Sequence, residues 1–232
     1  MGMNRNFTAI CAALLMCAIL IVFCCAPAIG KNGVSFADAK YDEKVIYLTF
    51  DDGPSDKVTP LILDVLKEEN VKATFFIVGK SAENRKNIIK REINEGHTVA
   101  VHSYSHKYKE IYASPEALLK DIDKCNAIIT EVCGKPSNVY RFPGGSHKLS
   151  QSLISAVTAR GMQYVDWNAS TCDAELISPS PDQLFKAAVN TPSNKKKIVL
   201  LAHDSTTKSA TAKALKDIIR YYKQQNYTFK KF

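Results

Sequence analysis

The chain has 232 residues, 46% of them hydrophobic, with 31 basic and 23 acidic side chains and a formal charge of +8. That length and composition suffice for one sizeable core and exclude a disordered or low-complexity protein. No cluster of basic and aromatic residues marks a nucleic-acid surface. The positive charge fits either a soluble basic protein or one drawn to an anionic surface such as a cell wall.

Residues 7–28 are almost wholly apolar, Arg5 is the nearby charge, and Ala26-Pro27-Ala28 is a small-residue pattern of the kind a signal peptidase accepts. Residues 1–28 are therefore expected to direct export, as a cleaved signal peptide or, in the second reading, as an uncleaved helical anchor, since roughly 20 apolar residues span a bilayer. Neither Cys17 nor Cys24 follows the small residue that a lipoprotein signal requires. Residues 29–43 read as a connector and residues 44–232 as a single domain. Without the leader, 30 basic residues stand against 23 acidic ones, a balance of +7. The expectation is an exported or wall-associated monomer whose membrane contact is confined to its N-terminal segment.

Four of the seven cysteines (Cys11, Cys17, Cys24 and Cys25) lie in the leader, leaving Cys125, Cys133 and Cys172, an odd number. A helix from Pro115 through Cys133 would set Cys125 and Cys133 roughly 12 Å apart along its axis, too far for a disulfide. That pair is predicted to be unbridged.

In chain order, the predicted strands are Val45 to Phe50, Ala73 to Val78, Thr98 to Val101, Val139 to Arg141, Met162 to Val165, Ile198 to Leu201 and a short Tyr227 to Phe229. Apolar stripes at helical spacing fall between them. The first is Leu61, Ile62, Val65 and Leu66; the second is Ile88, Ile89 and Ile93, stopped at Gly96. A third helix has Ser114 as N-cap, Pro115 at its first position and Gly134 as its stop, with Leu118, Ile122, Cys125, Ile129 and Val132 facing the core. Later helices carry Leu153, Ile154 and Val157, then Leu184, Phe185 and Val189, then Leu215, Ile218, Ile219 and Tyr222. Strand and helix alternate over short connections, which favours a parallel sheet covered by helices, closed as a barrel or open.

Ionisable residues gather at the C-terminal ends of these strands. Asp51-Asp52-Gly53-Pro54 follows the first, His102-Ser103-Tyr104-Ser105-His106 the third, and Arg141-Phe142-Pro143-Gly144-Gly145 the fourth; Asp166-Trp167-Asn168 and Ala202-His203-Asp204 follow two others. In a parallel sheet those ends share one face, where ligands bind. Asp52, His102 and His106 supply one carboxylate and two imidazoles, a set that suits zinc with a position left for water. Each signal has an ordinary reading as well. Two histidines four apart occur on exposed helix faces, Asp-Asp before Gly-Pro is a common turn, and His203 suits a satisfied buried histidine. His97 and His147 fall away from strand ends and read as structural or solvated.

Thr49-Phe50-Asp51-Asp52-Gly53, His102-Ser103-Tyr104-Ser105-His106, Arg141-Phe142-Pro143-Gly144-Gly145, Asp166-Trp167 and Leu201-Ala202-His203 together resemble the five ordered motifs of the polysaccharide deacetylase family, also called the NodB-homology family or carbohydrate esterase family four. The resemblance spans about Lys44 to Tyr222. It implies an α/β fold, a distorted (β/α) barrel of about seven parallel strands, and one divalent metal, zinc with cobalt or nickel as alternatives. It implies Asp51 as general base, Asp52, His102 and His106 as metal ligands, and the Gly144 N–H as an oxyanion donor. It further implies His203 as general acid paired with Asp166, Arg141 orienting Asp51, and Trp167 and Leu201 lining a pocket for the acetyl methyl. Two positions depart from the pattern: Gly144 stands where an aromatic residue is common, and Cys172 where a small residue such as glycine is common.

The implied reaction is removal of N-acetyl groups from N-acetylglucosamine of a cell-wall polymer, with peptidoglycan the leading substrate. Muramic acid, chitin-like oligosaccharides and O-acetylated xylan are alternatives, and an intact Asp52 leans toward glucosamine. A phosphoesterase would want ligands for a second metal, and no further Asp/His cluster supplies them. An inactive carbohydrate-binding wall protein is the non-enzymatic alternative.

Overall fold

β-branched and aromatic runs between turn residues fold as parallel strands, and the intervening amphipathic segments return the chain as helices. The computed structural model describes residues 43–232; the apolar leader, its expected helix and nearly all of the connector lie outside the described residues. The strands are β1 (Val45–Asp51), β2 (Thr74–Val78), β3 (Thr98–Ser103), β4 (Val139–Tyr140), β5 (Gln163–Tyr164), β6 (Ala169–Ser170), β7 (Lys197–His203) and β8 (Thr228–Lys230). They are joined by α1 (Val58–Glu68), α2 (Gly79–Ala82), α3 (Lys86–Asn94), α4 (Tyr108–Ile111), α5 (Pro115–Cys133), α6 (Gln151–Ala159), α7 (Pro181–Asn190) and α8 (Ser209–Gln224). Among these, no helix is long and apolar enough to cross a membrane.

All pairings are parallel, in the order β5-β4-β3-β2-β1-β7-β6, with β8 beside the first half of β1. Three strand spacings in a flat sheet amount to roughly 14 Å, yet Arg141, one residue past β4, reaches Asp51 of β1 at 2.9 Å. The sheet must therefore curl, which produces the expected distorted barrel. Side-chain alternation then makes two cores. Ile46, Leu48, Phe50, Ile198, Leu200 and Ala202 face the helices, while Phe76, Ala100, Val139, Val165 and Val199 fill the small interior. Thr49 and Asp51 belong to the inward set, because Arg141 reaches both.

Three of the expected strands run further toward the site than their apolar runs, β1 to Asp51, β3 to Ser103 and β7 to His203. β6 had no apolar run to announce it. It is two residues long and is held by pairing Ala169 and Ser170 with Leu200 and Leu201. The third helix matches expectation: the Ser114 hydroxyl accepts from Ala117 N–H, and Gly134 closes it at φ 75°. Cys125, Cys133 and Cys172 are free thiols.

α1 corrects the sequence reading. Leu61, placed in its apolar stripe, is 49% exposed, whereas Leu63 is fully buried with Ile62 and Leu66. The helix lies rotated so that Val58, Thr59, Ile62, Leu63 and Leu66 form the buried face. Leu63→Ala should therefore cost about 2–5 kcal/mol in chemical denaturation, and Leu61→Ala no more than about 0.5 kcal/mol. Equal losses would contradict this assignment of faces.

Candidate active site

The site is assembled from the loops that leave β1, β3, β4 and β7. Asp51 ends β1 and lies opposite His203 in the β1/β7 register. It is buried, as is Arg141, which has no solvent exposure. Arg141 Nη1 donates to Asp51 Oδ1 at 2.9 Å and to the Thr49 hydroxyl at 2.8 Å, and its Nε donates to the Val165 carbonyl at 2.9 Å. Its guanidinium lies 4.2 Å from the centre of the Phe76 ring. The expected contact between Arg141 and the proposed base is present.

Asp52, His102 and His106 converge, with one ligand atom from each within 4.8 Å of the others. Asp52 Oδ1 is 3.4 Å from His102 Nε2 and 3.2 Å from His106 Nε2. The donor set fits a cation on two further grounds. Asp52 Oδ1 is buried without a hydrogen-bond partner, a costly condition that a positive ion relieves. His102 Nδ1 lies 2.9 Å from the Arg141 carbonyl, so Nδ1 carries the proton and Nε2 presents its lone pair to the convergence point. Burial opposes ionisation of Asp52, but the imidazoles of His102 and His106 beside it outweigh burial and hold its carboxyl well below the usual range. Burial, reinforced by His102, pushes the His106 imidazole down and favours its neutral, ligating form.

Backbone geometry aims these candidate ligands. Asp52 at φ 74° and His106 at φ 55° occupy the left-handed region, a strained choice for non-glycine residues that their surroundings must enforce. Around Asp52, the buried Asp204 does this: its N–H donates to the Asp51 carbonyl at 3.1 Å, and its carboxylate accepts the Thr59 hydroxyl at 2.6 Å. A Cβ at Gly53 would lie 2.0 Å from Asp204 Oδ2, so only glycine fits there. Burial, with added repulsion from Asp52 and Asp51, raises the Asp204 carboxyl to about 7.

Around His106 the work falls to Asp121 of α5, which the sequence reading missed. Its carboxylate accepts from the Ser103 hydroxyl at 2.6 Å, Tyr104 N–H at 2.7 Å and Ser105 N–H at 3.0 Å, and Ser103 Oγ then accepts from His106 N–H at 2.9 Å. The available signal was an acid on the apolar face of the helix, between Leu118 and Ile122.

His203 requires a correction. The expected partner was Asp166, but His203 Nδ1 lies 2.7 Å from Asp173 Oδ1, and His203 N–H donates to Asp173 Oδ2 at 2.9 Å. Asp166 instead accepts from Ser146 N–H at 3.0 Å and from the Ser146 hydroxyl, bracing the turn after Arg141. The reason is the path of β6, which carries the chain alongside β7 and delivers Asp173 just past Thr171, whose N–H donates to the Leu201 carbonyl at 2.9 Å. Thr211 and Lys208 complete the cradle, donating to Asp173 Oδ2 and to its carbonyl at 2.7 Å each. The departure at Cys172 gains a reason too: its φ is 56°, a conformation glycine adopts without strain.

The other expected residues are placed as follows. Gly144 is the third residue of a turn closed by Gly145 N–H donating to the Phe142 carbonyl at 2.8 Å. With Pro143 second and Gly144 at φ 76°, this is the signature of a type II turn. The turn bond uses the Gly145 N–H rather than that of Gly144. A Cβ at Gly144 would come within 3.0 Å of the Tyr108 ring, so Tyr108 fills the space that a side chain there would take. Trp167 is partly buried against Gly145, and Leu201 is buried on β7.

Burial alone would lower the His203 imidazole, but the hydrogen bond and charge of Asp173 raise it to about 9. Burial opposes ionisation of Asp173 in turn, and His203 outweighs it to hold that carboxyl below its usual range. The pair thus stabilises the fold fully between the ordinary carboxyl value of 3.8 and the ordinary imidazole value of 6.5, and its contribution is lost as pH rises through about 9. An NMR titration should place His203 near 9 in the wild type. Asp173→Asn should return it to or below the ordinary value, with a loss of about 3 kcal/mol at neutral pH. Asp166→Asn should leave the titration in place, and the opposite ranking of the two variants would restore Asp166 as the partner.

Residues 38–165 match the profile of the polysaccharide deacetylase family. A putative polysaccharide deacetylase of Bacillus subtilis (strain 168) is 33% identical over 193 residues, covering 81% of this chain and 66% of that protein. A peptidoglycan-N-acetylglucosamine deacetylase of Bacillus cereus is 31% identical over 195 residues, covering 82% of this chain and 70% of that protein. The chain thus spans about two thirds of the length of these two relatives. Among solved structures, the catalytic domain of a peptidoglycan N-acetylglucosamine deacetylase from Eubacterium rectale superposes with a TM-score of 0.76 at 38% identity, covering 89% of this chain and 94% of that one. On the family profile, the relatives and the shared parallel fold, the chain belongs to the polysaccharide deacetylase family.

Proposed function

We propose that this protein is a metal-dependent hydrolase that removes N-acetyl groups from a cell-wall polysaccharide, with N-acetylglucosamine of peptidoglycan as the substrate and acetate as the product. The observation that carries the reading is the convergence of Asp52, His102 and His106 beside a buried, Arg-held Asp51, with His203 across the β1/β7 register. The names of the relatives in B. cereus and E. rectale support peptidoglycan as the polymer. The basic balance and the apolar leader support an exported protein working at the wall.

One carboxylate and two imidazoles suit zinc, with cobalt and nickel as chemically similar alternatives. A divalent ion held there supplies Lewis acidity to a water and to the acetamide carbonyl. Asp51 accepts the proton of the attacking water, its carboxylate fixed for that task by Arg141. As water oxygen bonds to the carbonyl carbon, the Gly144 N–H stabilises the growing negative charge on the carbonyl oxygen. When the C–N bond breaks, His203 gives its Nε2 proton to the departing amine. Below about 9 the imidazole holds that proton, and Asp173 steadies it through Nδ1.

Acetate release from purified peptidoglycan and from chitin oligomers, with zinc and with chelator, tests the reading. Asp52→Ala and His102→Ala are expected to lose metal and activity together. His203→Ala should keep its metal and lose turnover by about 10²–10⁴-fold. Metal loss in His203→Ala would overturn the assignment of roles, and binding without metal-dependent acetate release would make the protein an inactive carbohydrate-binding module.

A further inference from the structure

Four large apolar side chains are exposed among the described residues: Leu61, Tyr108, Leu176 and Ile177. Tyr108 alone of these touches a candidate metal ligand, its ring meeting His106 edge-on at 5.4 Å between centroids. An aromatic ring left 46% open to water beside the reacting centre, when the interior has room for so many others, needs an account.

The ring is held where it stands. It opens α4, and one turn later Tyr112, which caps that helix, donates its hydroxyl to the Pro143 carbonyl at 2.8 Å. Tyr108 and Tyr112 meet edge to face at 5.9 Å. On the other side Tyr108 lies against the Gly144 turn, where an added Cβ would be 3.0 Å from the ring and 3.2 Å from its hydroxyl. A flat apolar face is thus fixed between a candidate ligand, His106, and the candidate oxyanion donor, Gly144. An acetamide held where Asp52, His102 and His106 converge would bring its sugar ring to this neighbourhood, and a pyranose presents an apolar face of C–H bonds that packs on an aromatic ring.

We infer that Tyr108 is a substrate-contacting residue, whose ring stacks against the pyranose of the N-acetylhexosamine being deacetylated. The inference rests on the proposed deacetylase reading and adds to it the residue that selects a sugar over other acetylated molecules. The hydroxyl is not required for this role, since the apolar face of the ring makes the contact.

The test is calorimetric binding of N-acetylglucosamine tetramer to the zinc-loaded full chain carrying Asp51→Asn, which reads binding apart from turnover. Adding Tyr108→Ala should weaken binding roughly tenfold, with zinc content unchanged; Tyr108→Phe and Tyr108→Trp should restore it to within about twofold. Unchanged binding in Tyr108→Ala, or no binding of the tetramer by the parent, would overturn the inference. Loss of zinc in Tyr108→Ala would also overturn it, showing that the ring acts by supporting His106. Should Tyr108-dependent binding be found while the wild-type chain releases no acetate, the deacetylase reading fails and the sugar contact stands.

Discussion

A guanidinium with no access to water must find its counter-charge inside the fold, and Arg141 finds it, with acceptors for Nε and Nη1, by joining four strands. Its side chain reaches β1 through Asp51 and Thr49 and the chain just past β5 through Val165, while its main chain takes the Val101 carbonyl on one side and His102 Nδ1 on the other. One residue therefore holds the candidate base and fixes the tautomer of a candidate metal ligand. Burying such a group without these partners would cost several kcal/mol. The same contacts require the sheet to curl, so the architecture of the barrel and the alignment of the site are one constraint.

Around that constraint, each functional loop is braced from a different element. Asp204 and Thr59 support the turn after Asp52, Asp121 of α5 supports the loop between the two candidate ligand histidines, Asp173 supports His203, and Asp166 supports the turn that carries Gly144. Buried or partly buried carboxylates do this repeatedly because each accepts several N–H or O–H bonds at once. Burial and neighbouring side chains also push the protonation of the site groups apart. Asp52 and His106 are pushed toward the charged carboxylate and neutral imidazole that ligation would need, whereas His203 is pushed toward the charged form that the proposed acid role requires.

The convergence of Asp52, His102 and His106 was legible in the sequence because each sits at or just past the end of an apolar run, and parallel strands gather such ends on one face. The parallel α/β fold was legible for the same reason, from alternating runs with short connections. Asp173 was not. It follows a strand of two residues with no apolar run, and the Asp-Trp pair nearby offered a nearer carboxylate. Asp121 was hidden on a helix whose apolar spacing reads as packing alone. Leu61 and Leu63 are separated only by helix rotation, which depends on tertiary contacts that periodicity does not contain. Tyr108 carries no local signal, since its position against Gly144 arises from the packing of α4 on the turn after β4.

The account depends on a single cation occupying the point where the three side chains meet. Anomalous diffraction at the zinc edge, from crystals of the purified chain grown with one equivalent of the metal, addresses this directly. The expected result is one strong peak at about 2.0–2.2 Å from Nε2 of His102, Nε2 of His106 and a carboxylate oxygen of Asp52. A map with no peak there, or with zinc bound only elsewhere, would contradict the account.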